Sequence, residues 1–200
     1  MFILCSGPSQ SYDDVVAIRD NKRDDDQVCA VNRMIFMAPW ADILYAADAP
    51  WWKHYGKQVR HLKCRKVSAM ARAKNYGADE IWRCGRASGL GEAPNLHGGN
   101  SGAQAINLAY IEGWREIVVT GLDCAHTFGK RHVHDDYPKG LGNSEPVATW
   151  AQRFPTMAEA LTKKGVRVVN CSRHTALDCF ERMSLSEYFN SQVDKSLKNA

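Results

Sequence analysis

Hydrophobic positions fall into short aliphatic runs that alternate with segments of helical spacing. Phe2-Ile3-Leu4-Cys5, Val28-Cys29-Ala30-Val31, Ile43-Leu44-Tyr45-Ala46-Ala47, Glu80–Cys84, Glu116–Gly121 and Val166–Asn170 read as strands. The continuous apolar runs among them fit strands covered on both faces. His61–Val67 alternates in part and reads as a further short strand. Tyr12–Asp20, Thr149–Lys164 and Leu185–Leu197 carry helical periodicity, and Met70–Asn75 reads as a helical turn. Trp51-Trp52-Lys53-His54-Tyr55 reads as a loop or short helix whose tryptophans pack over the sheet edge or stack on a planar ring. Strands alternating with helices predict an α/β fold: a single Rossmann-like domain over residues 1–200 with a mainly parallel sheet flanked by helices. No internal repeat or linker interrupts it.

The organising stretch is His97-Gly98-Gly99-Asn100-Ser101-Gly102 with the run behind it. Ala103, Ile106, Leu108 and Ala109 recur at near-helical spacing, and Asn100 or Ser101 can cap the helix they define. A glycine-rich turn leading into free helical N–H groups is a natural anion site. The strand that follows ends in Gly121-Leu122-Asp123. Open α/β sheets seat their ligands at such carboxyl ends. Gly85–Asn95, with three glycines and Pro94, reads as a mobile loop delivering the chain to this stretch.

Composition narrows the classes. A chain of 200 residues with 44% hydrophobic and 24% charged content has the profile of a globular domain. Its net charge of +4 is spread without a dense basic run, so nucleic acid is weakly supported and a small anionic ligand equally compatible. The apolar start Phe2-Ile3-Leu4-Cys5 is too short for a signal or a membrane span, which gives a cytoplasmic expectation. Seven scattered cysteines without a C-x-x-C favour neither a zinc site nor a disulfide framework. Cys124, at a strand end, is the one to weigh as a nucleophile, against the general inertness of buried thiols.

Several other strand ends are polar. Ser6-Gly7-Pro8-Ser9 follows the first strand; Gly7 permits a tight turn and Ser9 can cap the next helix. This turn is neither a Walker loop nor G-x-G-x-x-G. Asn32 offers a donor and an acceptor after the second strand, and the third strand ends in Asp48. Beyond Asp123 lies His126-Thr127-Phe128-Gly129-Lys130-Arg131-His132-Val133-His134-Asp135-Asp136. His132 and His134 share a face in extended backbone, and Asp135 or Asp136 can orient an imidazole or hold a metal. H-E-x-x-H is absent, and no metal site is assigned.

Ser6-Gly7-Pro8-Ser9, Val31-Asn32, Asn100-Ser101-Gly102 and Gly121-Leu122-Asp123 together resemble, in that order, the motifs of bacterial sialyltransferases that use CMP-sialic acid. The chain is also similar to the related domain of 6-hydroxymethylpterin diphosphokinase, found in many phage and bacterial proteins. The resemblance spans roughly positions 2 to 135 and departs at Ser6, where that family has Asn or Gly. It implies Gly7, Pro8, Ser9, Asn32, Asn100, Ser101 and Gly102 as nucleotide contacts. It implies Asp123 at the site floor and His134, or failing it His132, as general base. The leading expectation is a transferase using a CMP-type nucleotide or nucleotide-sugar. Its histidine takes the acceptor proton, and the Ser9 and Ser101 N–H groups stabilise the leaving phosphate. Two alternatives stay open. One is a diphosphokinase in which Asp123, Asp135 or Asp136 holds Mg²⁺. The other is a non-catalytic nucleotide-binding or DNA-associated accessory protein of a phage or mobile element.

Overall fold

The computed structural model describes residues 1–85, 87–134, 136–141 and 147–198. In chain order its strands are β1 (Phe2–Leu4), β2 (Val28–Val31), β3 (Ile43–Tyr45), β4 (Arg65–Ser68), β5 (Glu80–Ile81), β6 (Arg83–Cys84), β7 (Asn95–Leu96), β8 (Glu116–Thr120), β9 (Arg167–Asn170) and β10 (Glu181–Arg182). The helices are α1 (Tyr12–Asn21), α2 (Ala49–Val59), α3 (Ser101–Ile111), α4 (Val147–Ala151), α5 (Phe154–Lys163) and α6 (Leu185–Lys198). Eight strands form one sheet in the order β10-β9-β8-β1-β2-β3-β4-β5, and every pairing in it is parallel. β6 and β7 form a separate two-stranded sheet. The expected α/β architecture is the observed one.

The strands alternate their side chains between two cores, as the period of two requires. Ile3, Cys29, Ile43, Val119 and Val168 face the core built with α3 and α5. Phe2, Leu4, Ala30, Leu44, Val118 and Val169 face the core built with α1, α2 and α6. Burying each large aliphatic side chain in this way contributes about 1.5–3 kcal/mol.

Where the elements differ from expectation, local chemistry supplies the reason. Trp51-Trp52 lies inside the eleven-residue α2, with Trp51, Trp52, Tyr55 and Val59 buried along one stripe. Trp52 is fixed by its indole N–H donating to the Ala46 carbonyl at 2.8 Å. The expected strand over 80–84 divides at Trp82, one half joining the main sheet and the other pairing with β7. The expected helix over 149–164 is two helices, because Pro155 sits in the first turn of α5. Proline there fits a helix start, whereas the interior of a longer helix would lose a hydrogen bond and meet the ring. β4 lies a few residues beyond the expected 61–67. In the expected mobile loop over 85–95, Gly91 is anchored to α3. Buried Asn107 accepts from the Gly91 and His97 N–H groups at 2.8 and 2.9 Å and donates to the Gly91 carbonyl at 3.0 Å.

From β1 the chain builds outward through β2, β3, β4 and β5, then returns to place β8 on the other side of β1. The carboxyl ends of β1 and β8 therefore flank the point where strand order reverses, the position at which doubly wound sheets open a crevice.

Candidate functional site

The turns leaving β1 and β8 are bonded to each other. Cys5 donates to the Thr120 carbonyl and Gly7 to the Gly121 carbonyl, both at 2.8 Å. A Cβ on Gly7 would run into the Gly121 carbonyl and the Asp123 carboxylate, so glycine is required by close approach. Asp123 is 1% exposed. It accepts from the Ser9 N–H and the Ser9 hydroxyl at 2.7 Å each, and from the Thr127 hydroxyl at 3.1 Å. Burial pushes its pKa up, and the Ser9 and Thr127 hydrogen bonds oppose that shift. The expected role of Ser9 changes accordingly. Its N–H is held by Asp123, its hydroxyl also reaches the His174 carbonyl at 3.2 Å, and it is absent from the cavity lining. Ser11, not Ser9, caps α1 by accepting from Asp14 at 3.1 Å.

Above this floor lies a cavity of about 620 Å³. Gly7, Pro8, Asn32, Asn100, Ser101 and Gly102, six of the seven positions expected to meet nucleotide, line it. Asp123 and His132 line it too. Asn100 caps α3, its Oδ1 accepting from Ala103 at 2.9 Å. Ser101 and Gly102 are the first helical residues, and their N–H groups precede the first intrahelical acceptor. Asn32 has φ 55° and Cys124 φ 48°, so two non-glycine residues of the lining hold left-handed backbone. Such conformations collect at functional sites.

The histidine segment folds back over the β1 turn. Val133 donates to the Ser6 carbonyl at 3.1 Å, and burial beside this turn pushes the Tyr137 hydroxyl's pKa up. His132 packs its ring 4.7 Å from that of Tyr137, which also lines the cavity. His134, expected first, is not part of the lining. It lies beside Arg33, and burial together with that guanidinium pushes its pKa down. Arg33 in turn pairs with Asp136 at 2.7 Å and stacks over Tyr137 at 4.9 Å. Asp135 lies outside the described residues. Two of the three carboxylates considered for Mg²⁺ are thus engaged elsewhere, Asp123 by Ser9 and Thr127 and Asp136 by Arg33. Among the described residues no group of three or more His, Cys, Asp or Glu is placed to hold a metal ion.

Cys124 lines the cavity, but burial drives its pKa up to about 12, which leaves a protonated, unreactive thiol. Residues not singled out as site members also shape the place. Asp48 and Trp51 line the cavity from the β3–α2 junction. Ser172 accepts from Leu122, and Thr175 donates to the Leu122 carbonyl, both at 2.7 Å, so the loop after β9 braces the turn after β8. The acid at the end of the third strand was visible in the sequence; the bracing hydroxyls carry no sequence signal of their own.

A Rossmann-like parallel sheet with a cavity at its switch point is the class these observations define. No family model matches the chain, and no curated protein matches it. Among solved structures, the chain is similar to one described as the structure of MAf glycosyltransferase from Magnetospirillum magneticum AMB-1. The TM-score is 0.60 at 16% sequence identity, a likeness of fold. The match covers 98% of this chain and 37% of that chain, so the protein spans little more than a third of the length of its structural neighbour. No helix among the described residues is long and apolar enough to cross a membrane.

Proposed function

We propose that the cavity binds a CMP-type nucleotide or nucleotide-sugar and that the protein is a glycosyltransferase-like enzyme with His132 as general base. The carrying observation is convergence: the Gly7-Pro8 turn, Asn32, the start of α3 and His132 come from four separate stretches and meet in one cavity. The fold shared with a structure described as a glycosyltransferase supports the same reading.

In this reading the leaving phosphate sits against the Ser101 and Gly102 N–H groups, where the helix dipole favours negative charge. Ser9 is not a phosphate donor, since Asp123 holds its N–H. The acceptor oxygen forms the new bond to the anomeric carbon, and the anomeric carbon–phosphate oxygen bond breaks with its electron pair going to phosphate. His132 takes the acceptor proton. Asp123 acts by holding the β1 turn through Ser9 and does not touch substrate.

Titration calorimetry with CMP, and with ATP in the presence and absence of Mg²⁺, tests the binding. CMP is expected to bind without metal; ATP binding that requires Mg²⁺, with none of CMP, favours a diphosphokinase instead. For chemistry, His132→Ala is expected to keep CMP affinity within a few-fold and to lose about 10²–10⁴ in turnover of a CMP-sugar, the usual worth of a general base. His134→Ala is expected to keep turnover. Loss with His134→Ala alone moves the base to His134.

A further inference from the structure

Asp48 stands at the carboxyl end of the sheet, just past β3, as the N-cap residue of α2. An aspartate at that position ordinarily turns its carboxylate onto the N–H of the second or third helical residue. Neither is on offer here. The second helical residue is Pro50, which has no N–H, and the Trp51 N–H donates to the Asp48 carbonyl at 3.0 Å. The carboxylate makes no capping bond, and among the described residues it takes part in no hydrogen bond or ion pair. It is exposed and lines the cavity. Burial raises its pKa, and among the described residues no cation lowers it. Trp51, 4% exposed, lines the same wall, and its indole N–H has no partner among the described residues.

An unpartnered carboxylate in a ligand cavity calls for hydrogen-bond donors on the ligand. Its place says which. The start of α3 and the β1 turn form the end of the cavity suited to phosphate, and β3 lies two strands from β1, about 10 Å across the sheet. A nucleotide with its phosphate at α3 reaches that wall with its sugar. Doubly wound sheets use an acid after a strand to accept from ribose hydroxyls; Asp48 offers the same chemistry one strand further out than β2.

We infer that Asp48 is a specificity residue that accepts hydrogen bonds from the ribose hydroxyl pair of the bound nucleotide, so that the cavity selects ribonucleotides over deoxyribonucleotides. The inference rests on the nucleotide reading above. Calorimetry of the whole protein with CMP and 2′-deoxy-CMP, and with AMP and 2′-deoxy-AMP, tests it without needing turnover. The wild type is expected to bind at least one ribonucleotide about ten- to a hundredfold tighter than its deoxy form, the range for a hydrogen bond to a charged group. Asp48→Ala and Asp48→Asn are expected to bind both forms with nearly equal, weak affinity. Because the carboxylate makes no bond to another described residue, both variants should fold, which far-UV circular dichroism checks. Equal affinity for ribo and deoxy forms in the wild type, or a ribose preference that survives both substitutions, overturns the assignment while leaving nucleotide binding intact. Binding of none of the four nucleotides overturns the nucleotide reading and this inference with it.

Discussion

At the scale of single residues, environment separates side chains that look equivalent on paper. His132 and His134 stand two apart, yet one lines the cavity and the other is half-buried against Arg33. Burial and the guanidinium charge both disfavour the imidazolium of His134, so its folded-state pKa lies below the ordinary 6.5. Linkage fixes the sign. As pH falls through about 6.5 the unfolded chain binds the proton first, and stability drops until the folded-state pKa is passed. Urea denaturation at pH 7.5 and pH 5.5 should therefore show a loss on acidification that is smaller in His134→Gln. An identical acid loss in that variant would show that other groups set the slope. The carboxylates divide in a similar way. Asp123 accepts three hydrogen bonds, while Asp48 has no donor among the described residues.

At the scale of elements, the β1 and β8 turns behave as one unit, and Asp123 is the clasp. Asp123→Ala leaves the Ser9 N–H without its acceptor in a buried place, which costs about 1–3 kcal/mol, and removes two further hydrogen bonds. Chemical denaturation should show a loss of about 2–4 kcal/mol, and CMP affinity should fall because Gly7-Pro8 is no longer held. A change under 0.5 kcal/mol would mean that the turn is held by its backbone bonds alone. Much at this scale was legible in advance. The short apolar runs marked β1, β2, β3, β8 and β9, and Asn100 ahead of a small-residue run marked the start of α3. What sequence did not disclose depends on contacts made at a distance. The two residues of β10 are a strand only because they pair with β9. Gly91 looks like part of a free loop until Asn107 bonds to it from α3. Ser9 looks like a helix cap until Asp123 arrives from 114 residues away.

At the scale of the whole molecule, the order of strands decides where a ligand can act. Reversal of the chain's direction at β1 parts the connections on either side, and the cavity opens there rather than at an outer edge. Its walls are supplied by the β1 turn, the β2 and β3 ends, the start of α3 and the segment around His132 and Tyr137, which come together only in the folded sheet. A ligand spanning them links segments that otherwise open separately, and local opening governs amide exchange. Binding at 100-fold excess over the dissociation constant stabilises the folded state by about 2.7 kcal/mol, and amides at the contacts feel it first. Hydrogen exchange with saturating CMP should therefore slow at residues 5–9, 100–103 and 131–134 together. Residues 181–190, across the edge strand β10 and the start of α6 and outside the cavity lining, should slow least. Protection confined to one of the three segments would mean that the cavity does not act as a single site, and protection centred on 181–190 would place the ligand elsewhere on the molecule.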